Sequence, residues 1–196
     1  MKLRRGIFLD RDGVINRNVW DPSTGEYGAP LHADQLVLAP GAVAGLTALQ
    51  RAEFLLFVVS NQPNHAKGKS SLEALKAVHQ RLVAELDAAG VEFSEFFYCY
   101  HHPRAVIAEY AGPCLCRKPS PYFLLTARDK FGLSLETSWL IGDRATDIEC
   151  GRAAAVRTIR LAEDHPSTRN PEEAAADFEA RDLAHAAELI LAHSQF

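Results

Sequence analysis

A chain of 196 residues that is 47% hydrophobic can fill one core and is short for two, so a single domain over residues 1–196 is expected, with a monomer as the default. A formal net charge of −4 gives no general basic field, which argues against nucleic acid as the main partner and leaves any anionic ligand to be met by local cations. No apolar stretch reaches membrane-spanning length, and the run from Gly6 to Leu9 is too short for a signal-peptide core, so a cytoplasmic protein without membrane contact is expected.

Ile7, Phe8 and Leu9 form a short apolar run stopped by a charge and a glycine, the pattern of a buried strand with Asp10 at its carboxyl end. Strand side chains alternate, so Asp10 and Asp12 are expected on one side with Arg11 pointing away. Two carboxylates in one small space either bind a hard cation or split their pKa values, so that one stays ionised while the other carries a proton; a turn that merely caps the strand would use the same Asp-x-Asp-Gly. Residues 17–40, with Gly25, Gly28 and Pro30, lack periodicity and read as a loop, either a flap over these acids that brings Asn16, Trp20 and Tyr27 to the substrate or a surface excursion with ordinary packing.

A helix is expected over 41–53, then an apolar strand over 54–59 ending in Ser60-Asn61-Gln62. Ser70 to Glu73 resembles a capping box, opening a helix to Ala89 whose buried face is Leu72, Leu75, Val78, Leu82, Val83 and Leu86; His79 reads as a packed side chain. A strand over 93–99 follows, a helix over 122–131 closed by Gly132, a strand over 139–142 ending on Asp143, a helix over 147–154 and a strand over 156–161. Asn170-Pro171 should open a helix over 172–176, before a closing helix through Leu183, Ala187, Leu189 and Leu191. Strands alternating with helices give an α/β fold, a doubly wound, mostly parallel, Rossmann-like sheet.

Four strand ends carry polar groups: Asp10 with Asp12, Ser60 with Asn61, Arg117-Lys118-Pro119, and Gly142-Asp143 to Asp147. A nucleophilic carboxylate, a hydroxyl, a lysine point charge and further acids for a cation are what an aspartyl-phosphate mechanism requires. On these motifs, in this order over nearly the whole chain, the sequence resembles the haloacid dehalogenase (HAD) superfamily of phosphatases. The resemblance implies that Asp10 attacks phosphorus, that Asp12 protonates the leaving oxygen and later activates water, and that Ser60 and Lys118 hold the phosphoryl group. It also implies Mg²⁺ held by Asp10, Asp143 and the backbone carbonyl of Asp12, with Asp147 auxiliary.

Cys99-Tyr-His101 and Cys114-Leu-Cys116, twelve residues apart, supply a Cys₃His set suited to structural, tetrahedral Zn²⁺ in a loop over 99–116. His102 could replace His101, and Cys150 reads as a small buried residue. Ordering that loop would also position Arg117 and Lys118. A zinc loop in this place resembles the branch of heptose bisphosphate 7-phosphatases and related histidinol-phosphate phosphatases, and the twelve-residue gap matches the former. The segment Asn61-Gln-Pro-Asn-His-Ala-Lys-Gly68 departs from the Asn-Gln-Ser-Gly-Ile-Ala-Arg-Gly common in that branch.

No large cap domain fits between the motifs, so specificity should rest on short loops. Asn16, Ser60, Asn61, Gln62, Lys67, Arg117 and Lys118 are the expected substrate contacts for a small sugar phosphate, with Arg117 and Lys67 on a second phosphate. The alternatives are histidinol phosphate, another sugar phosphate, a polynucleotide 3′-phosphate, or a silent zinc-stabilised binding module. Retention of Asp10, Asp12, Lys118 and Asp143 speaks against the last.

Overall fold

A computed structural model describes residues 4–22, 24–162 and 174–194. The chain runs β1 (Arg5–Leu9), β2 (Val19–Asp21), β3 (Glu26–Gly28), α1 (Ala42–Arg51), β4 (Phe54–Asn61), α2 (Leu72–Ala88), β5 (Glu95–Cys99), α3 (Tyr122–Phe131), β6 (Trp139–Gly142), α4 (Ala145–Ala153), β7 (Arg157–Leu161), β8 (Phe178–Ala180) and α5 (Leu183–His193). Six strands make one sheet in the order β5-β4-β1-β6-β7-β8, and every pairing in it is parallel.

Strand alternation builds the two faces. Ile7 and Leu9 of β1, Leu56 and Val58 of β4, and Trp139 and Ile141 of β6 pack on one side with α1, α2 and α5. Phe8, Phe57, Val59 and Leu140 point the other way, against Leu124 and Ala127 of α3, Cys150 of α4 and Ala154 just after it. Both faces are covered, which is why the central strands read as continuous apolar runs. From β1 the chain first adds strands to one side (β4, β5) and then to the other (β6, β7, β8), so strand order reverses between β1 and β6. Outside the carboxyl ends at that reversal is where open α/β sheets bind ligands.

Several expectations are corrected. Residues 17–40 are not all loop: β2 and β3 form an antiparallel hairpin in register Val19↔Gly28 to Asp21↔Glu26. The α2 cap is Ser71, whose side chain accepts from the Ala74 amide at 3.1 Å, so Glu73 is not at the capping-box position. Leu72 at the first turn is 37% exposed and outside the core. The expected cap Asn170-Pro171 and residues 172–173 lie outside the described residues; 174–176 are not helical, and β8 follows them. No helix among the described residues is long and apolar enough to cross a membrane.

Candidate active site

β1, β4 and β6 end side by side, and their polar continuations meet. Asp10 follows β1 and accepts from the Arg11 amide at 2.7 Å through Oδ1, while its own amide donates to Ile141 at 3.0 Å. Lys118 reaches in from the segment just after Cys116. Its Nζ lies 3.1 Å from Asp10 Oδ1 and 2.5 Å from Asp147 Oδ1, and donates to the Val59 carbonyl at 2.7 Å. Asn61 clamps the Lys118 backbone, its Oδ1 accepting from the amide at 3.0 Å and its Nδ2 donating to the carbonyl at 3.2 Å. Asp147 sits in the first turn of α4, where Oδ2 accepts from the Arg144 amide at 3.1 Å.

These groups are buried, so their charges act through little solvent. Burial works to raise the Asp10 pKa, yet Lys118, the Ser60 hydroxyl and Arg144 outweigh it and hold Asp10 below the usual carboxylate range. Burial pushes Asp143 well above that range, with repulsion from Asp10 and Asp147 adding to it. Asp147 is also raised, by burial and by Asp10, against the pull of Lys118. Lys118 is raised because Asp10 and Asp147 overcome its own desolvation. Around Asp143, burial and the neighbouring Asp10 and Asp147 outweigh Arg144 and Lys118.

Oxygens of Asp10, Asp143 and Asp147 lie within 4.8 Å of one another, and Asp143 Oδ1 is buried without a hydrogen-bond partner. An orphaned carboxylate oxygen among three hard ligands suits a hard divalent cation such as Mg²⁺. Gly13 leaves room for it: its φ is +82°, and a Cβ there would stand 2.2 Å from Asp143 Oδ2. Gly13→Ala should therefore displace Asp143 and raise the Mg²⁺ concentration needed for half-maximal activity by roughly tenfold or more, about 1.4 kcal/mol of binding free energy. A Mg²⁺ titration of activity checks this, and an unchanged midpoint would count against Asp143 as a ligand.

The thiol–imidazole cluster is separate. The Sγ atoms of Cys114 lie 3.7 Å from Cys99 and 3.8 Å from Cys116, with Cys99 and Cys116 3.1 Å apart. His101 Nδ1 stands 3.9 Å from Cys99 Sγ and 3.7 Å from Cys116 Sγ. A zinc–sulfur bond of about 2.3 Å implies tetrahedral S···S edges of about 3.8 Å, so four ligand atoms stand near the corners of a zinc-sized tetrahedron. His101 is the member of this group. His102 instead accepts from the Arg104 amide through Nδ1 at 3.0 Å. Cys150 is buried and donates to the Ser120 carbonyl at 3.2 Å, a packing role.

A cleft of about 620 Å³ opens over the acids. Asp10, Asp12, Lys118 and Asp143 form its floor, Trp20 and Tyr27 of the hairpin one wall, and Asn61, Lys67, Lys69, Arg117 and Arg144 another. The two rings meet edge to face at 5.1 Å, and Lys69 Nζ bonds Asp21 Oδ2 at 3.1 Å, tying the hairpin to the loop after β4. The cations crowd one another: the Lys67 pKa is lowered by partial burial and then by Lys69, Arg117, Arg104 and Arg144. Arg117 is steered by the loop that carries the thiol–imidazole cluster, its Nη1 donating to the His101 carbonyl at 3.0 Å. A second cavity of about 590 Å³, at the opposite edge of the sheet between Arg4, Gln50, Phe54 and Glu92, touches none of these groups.

Of the residues expected at the site, Asn16 and Gln62 do not line the cleft. Both are buried behind Asp12 and donate to its carboxylate. Ser60 is buried beside Asp10. Arg11 does not point away: it folds back onto Asp12, because the strand ends at Leu9 and alternation lapses beyond it. The sequence reading also missed Asn18, 3.5 Å from Asp143 Oδ2 through Nδ2, and Arg160, whose Nε donates to the Asp143 carbonyl at 3.2 Å. For Arg11 a signal existed, a cation flanked by two acids; for Asn18 and Arg160 only the fold supplies one.

A parallel sheet reversing between β1 and β6, with an aspartate pair, a buried lysine and a carboxylate cluster at its carboxyl edge, defines a phosphatase of the HAD class. The HAD-hydrolase-like family matches residues 115–186. The D-glycero-β-D-manno-heptose-1,7-bisphosphate 7-phosphatase of Vibrio cholerae is 36% identical over 152 residues, covering 78% of this chain and 77% of that one. The protein of the same name from Escherichia coli K12 is 32% identical over 178 residues, covering 91% and 89%. In structure, the D,D-heptose 1,7-bisphosphate phosphatase of B. bronchiseptica, complexed with magnesium and phosphate, aligns with a TM-score of 0.78 at 22% identity over 96% of this chain and 98% of that one, a likeness of fold. The chain belongs to the D-glycero-β-D-manno-heptose-1,7-bisphosphate 7-phosphatase family of HAD-like hydrolases.

Proposed function

We propose that the chain, acting as one domain, removes the 7-phosphate of D-glycero-β-D-manno-heptose 1,7-bisphosphate through an aspartyl-phosphate intermediate. The observation that carries this reading is the division of the cleft. Nucleophile, lysine and acids are on its floor, and a separate set of cations stands on its wall. A primary phosphate at the end of a carbon chain can reach the floor while the phosphate at C1 meets Arg117 and Lys67. In the proposed reaction an Asp10 oxygen bonds to phosphorus, the bond to the leaving oxygen breaks, and Asp12 gives that oxygen its proton. Water then attacks phosphorus, Asp12 takes the water's proton, and Asp10 is released with inorganic phosphate. Lys118 and Ser60 hold phosphoryl oxygens. Asp10, Asp143 and the Asp12 carbonyl would hold Mg²⁺, which would supply positive charge against the phosphoryl group. Cys99, His101, Cys114 and Cys116 would hold a structural Zn²⁺. A bisphosphate carries too much charge to cross a bilayer unaided, which supports a cytoplasmic place of work.

The test is kcat/KM for the heptose bisphosphate, the heptose 7-phosphate and histidinol phosphate, each with wild type and Arg117→Ala. A charge-assisted hydrogen bond contributes about 1.5–3 kcal/mol, so Arg117→Ala should cost roughly 10- to 100-fold with the bisphosphate and much less with the monophosphate. Histidinol phosphate brings a cationic amine towards Lys67, Lys69 and Arg117 and should be the poorer substrate. A preference for it, or equal losses on both heptose phosphates, would overturn the substrate assignment.

A further inference from the structure

The Asp12 carboxylate is enclosed by nitrogen donors. Oδ1 accepts from Arg11 Nε at 3.0 Å and Asn16 Nδ2 at 3.0 Å; Oδ2 accepts from Arg11 Nη2 at 3.1 Å and Gln62 Nε2 at 2.6 Å. The carboxamide of Gln62 is itself held at every side: Oε1 accepts from Arg11 Nη2 at 2.8 Å, and Nε2 donates also to Ser60 Oγ at 3.0 Å. Arg11 is 1% exposed, and its guanidinium lies 5.7 Å from the centre of the Tyr98 ring, whose hydroxyl meets His79 Nδ1 at 3.0 Å. The Gln62 amide donates to the Cys99 carbonyl at 2.7 Å, fixing its backbone to β5. A guanidinium is rarely buried unless its donors are matched, and here the match is to one carboxylate, the amide beside it and Tyr98.

We propose that Arg11 and Gln62 are positioning residues for Asp12, serving the hydrolytic half of the reaction. This rests on the reading of Asp12 as the group that activates water. Four N–H donors around two oxygens complement the acceptor-only carboxylate, the form that takes a proton. Turning the carboxylate out of plane would break bonds at both oxygens, so the fork of Arg11 and the amide of Gln62 fix the direction in which Asp12 meets water. As the water oxygen bonds to phosphorus, the bond from phosphorus to Asp10 breaks with its electron pair returning to Asp10, and the water's proton passes to Asp12. A carboxylate that wobbles loses this geometry, and misplacement by about 1 Å can cost on the order of 100-fold.

p-Nitrophenyl phosphate separates the two halves, because its leaving group departs without a proton. With Mg²⁺ present, Gln62→Met and Arg11→Lys should release the first equivalent of nitrophenol at near the wild-type rate. Steady turnover should then slow by roughly 10- to 100-fold, with phosphoenzyme accumulating. The burst amplitude counts competent sites, so a folding defect would show as a small burst with unchanged turnover per site. Asp12→Asn is the reference. If it accumulates no phosphoenzyme, the reading of Asp12 fails. If it does accumulate phosphoenzyme while Gln62→Met and Arg11→Lys turn over like wild type per competent site, or show no burst at all, the positioning proposal is overturned.

Discussion

Asp10→Asn is expected to lower turnover by roughly 10⁴-fold or more, the scale on which removal of a reacting group acts, while the protein stays folded and melts close to wild type. A carboxamide is a poor nucleophile and a weaker ligand for a hard cation. The effect on stability follows from the charges. Asp10 helps push Asp143 well above the usual carboxylate range and contributes to raising Asp147, so without a cation the native site carries repulsion. The substitution removes that repulsion and also the attractions to Lys118, the Ser60 hydroxyl and Arg144 that hold the Asp10 pKa down, so the two sets largely offset, and Lys118 retains Asp147 at 2.5 Å. Turnover with Mg²⁺ and thermal melting without added Mg²⁺ measure the two arms. Comparable turnover would sink the aspartyl-phosphate proposal, and a large drop in melting temperature would contradict the charge argument.

Cys114→Ser and Cys116→Ser should each abolish stoichiometric zinc, about one per chain in wild type, and lower the melting temperature. A loss of about 3 kcal/mol, a fraction of what structural zinc contributes to small domains, corresponds to roughly 10 °C in a chain of this size. Activity should fall as well, because the loop is wired to the site: the His101 carbonyl holds Arg117, and the Cys99 carbonyl holds the Gln62 amide. Elemental analysis of protein prepared without chelator checks the stoichiometry. Zinc-free wild type, or serine variants with wild-type melting and turnover, would refute a structural zinc.

The central strands were legible because both faces of the sheet are covered, so β1, β4 and β6 are unbroken apolar runs. The three-residue strands were not. Trp20 and Tyr27 pair across a hairpin whose sequence has too few alternations to register, and β8 is held by a register with Ile159 to Leu161 that no local pattern announces. At the site, Asp10, Lys118 and Asp143 could be placed because each sits beside a strand end or a motif. The contacts of Arg11, Asn16 and Gln62 with Asp12 were not legible: strand periodicity stops at Leu9, and the turn that follows, with Ile15 and Asn16 amides on the Arg11 carbonyl at 2.9 and 3.0 Å, turns Arg11 and Asn16 towards Asp12. Gln62 comes from just past the end of β4, its amide held by the Cys99 carbonyl at 2.7 Å.

The crowd of cations at the mouth of the cleft also governs traffic. A chain of net charge −4 repels a bisphosphate at long range, yet Lys67, Lys69, Arg104, Arg117 and Arg144 are near enough to one another to depress the Lys67 pKa and so form a local positive funnel. Funnels of this kind raise encounter rates by about 10- to 1000-fold and lose that advantage as salt screens them. The same field acts on the departing inorganic phosphate, which must climb out past the groups that drew the substrate in. Both ends of the cycle thus feel ionic strength: added salt slows capture at low substrate and lowers kcat/KM, while it hastens phosphate release and raises kcat where release limits turnover.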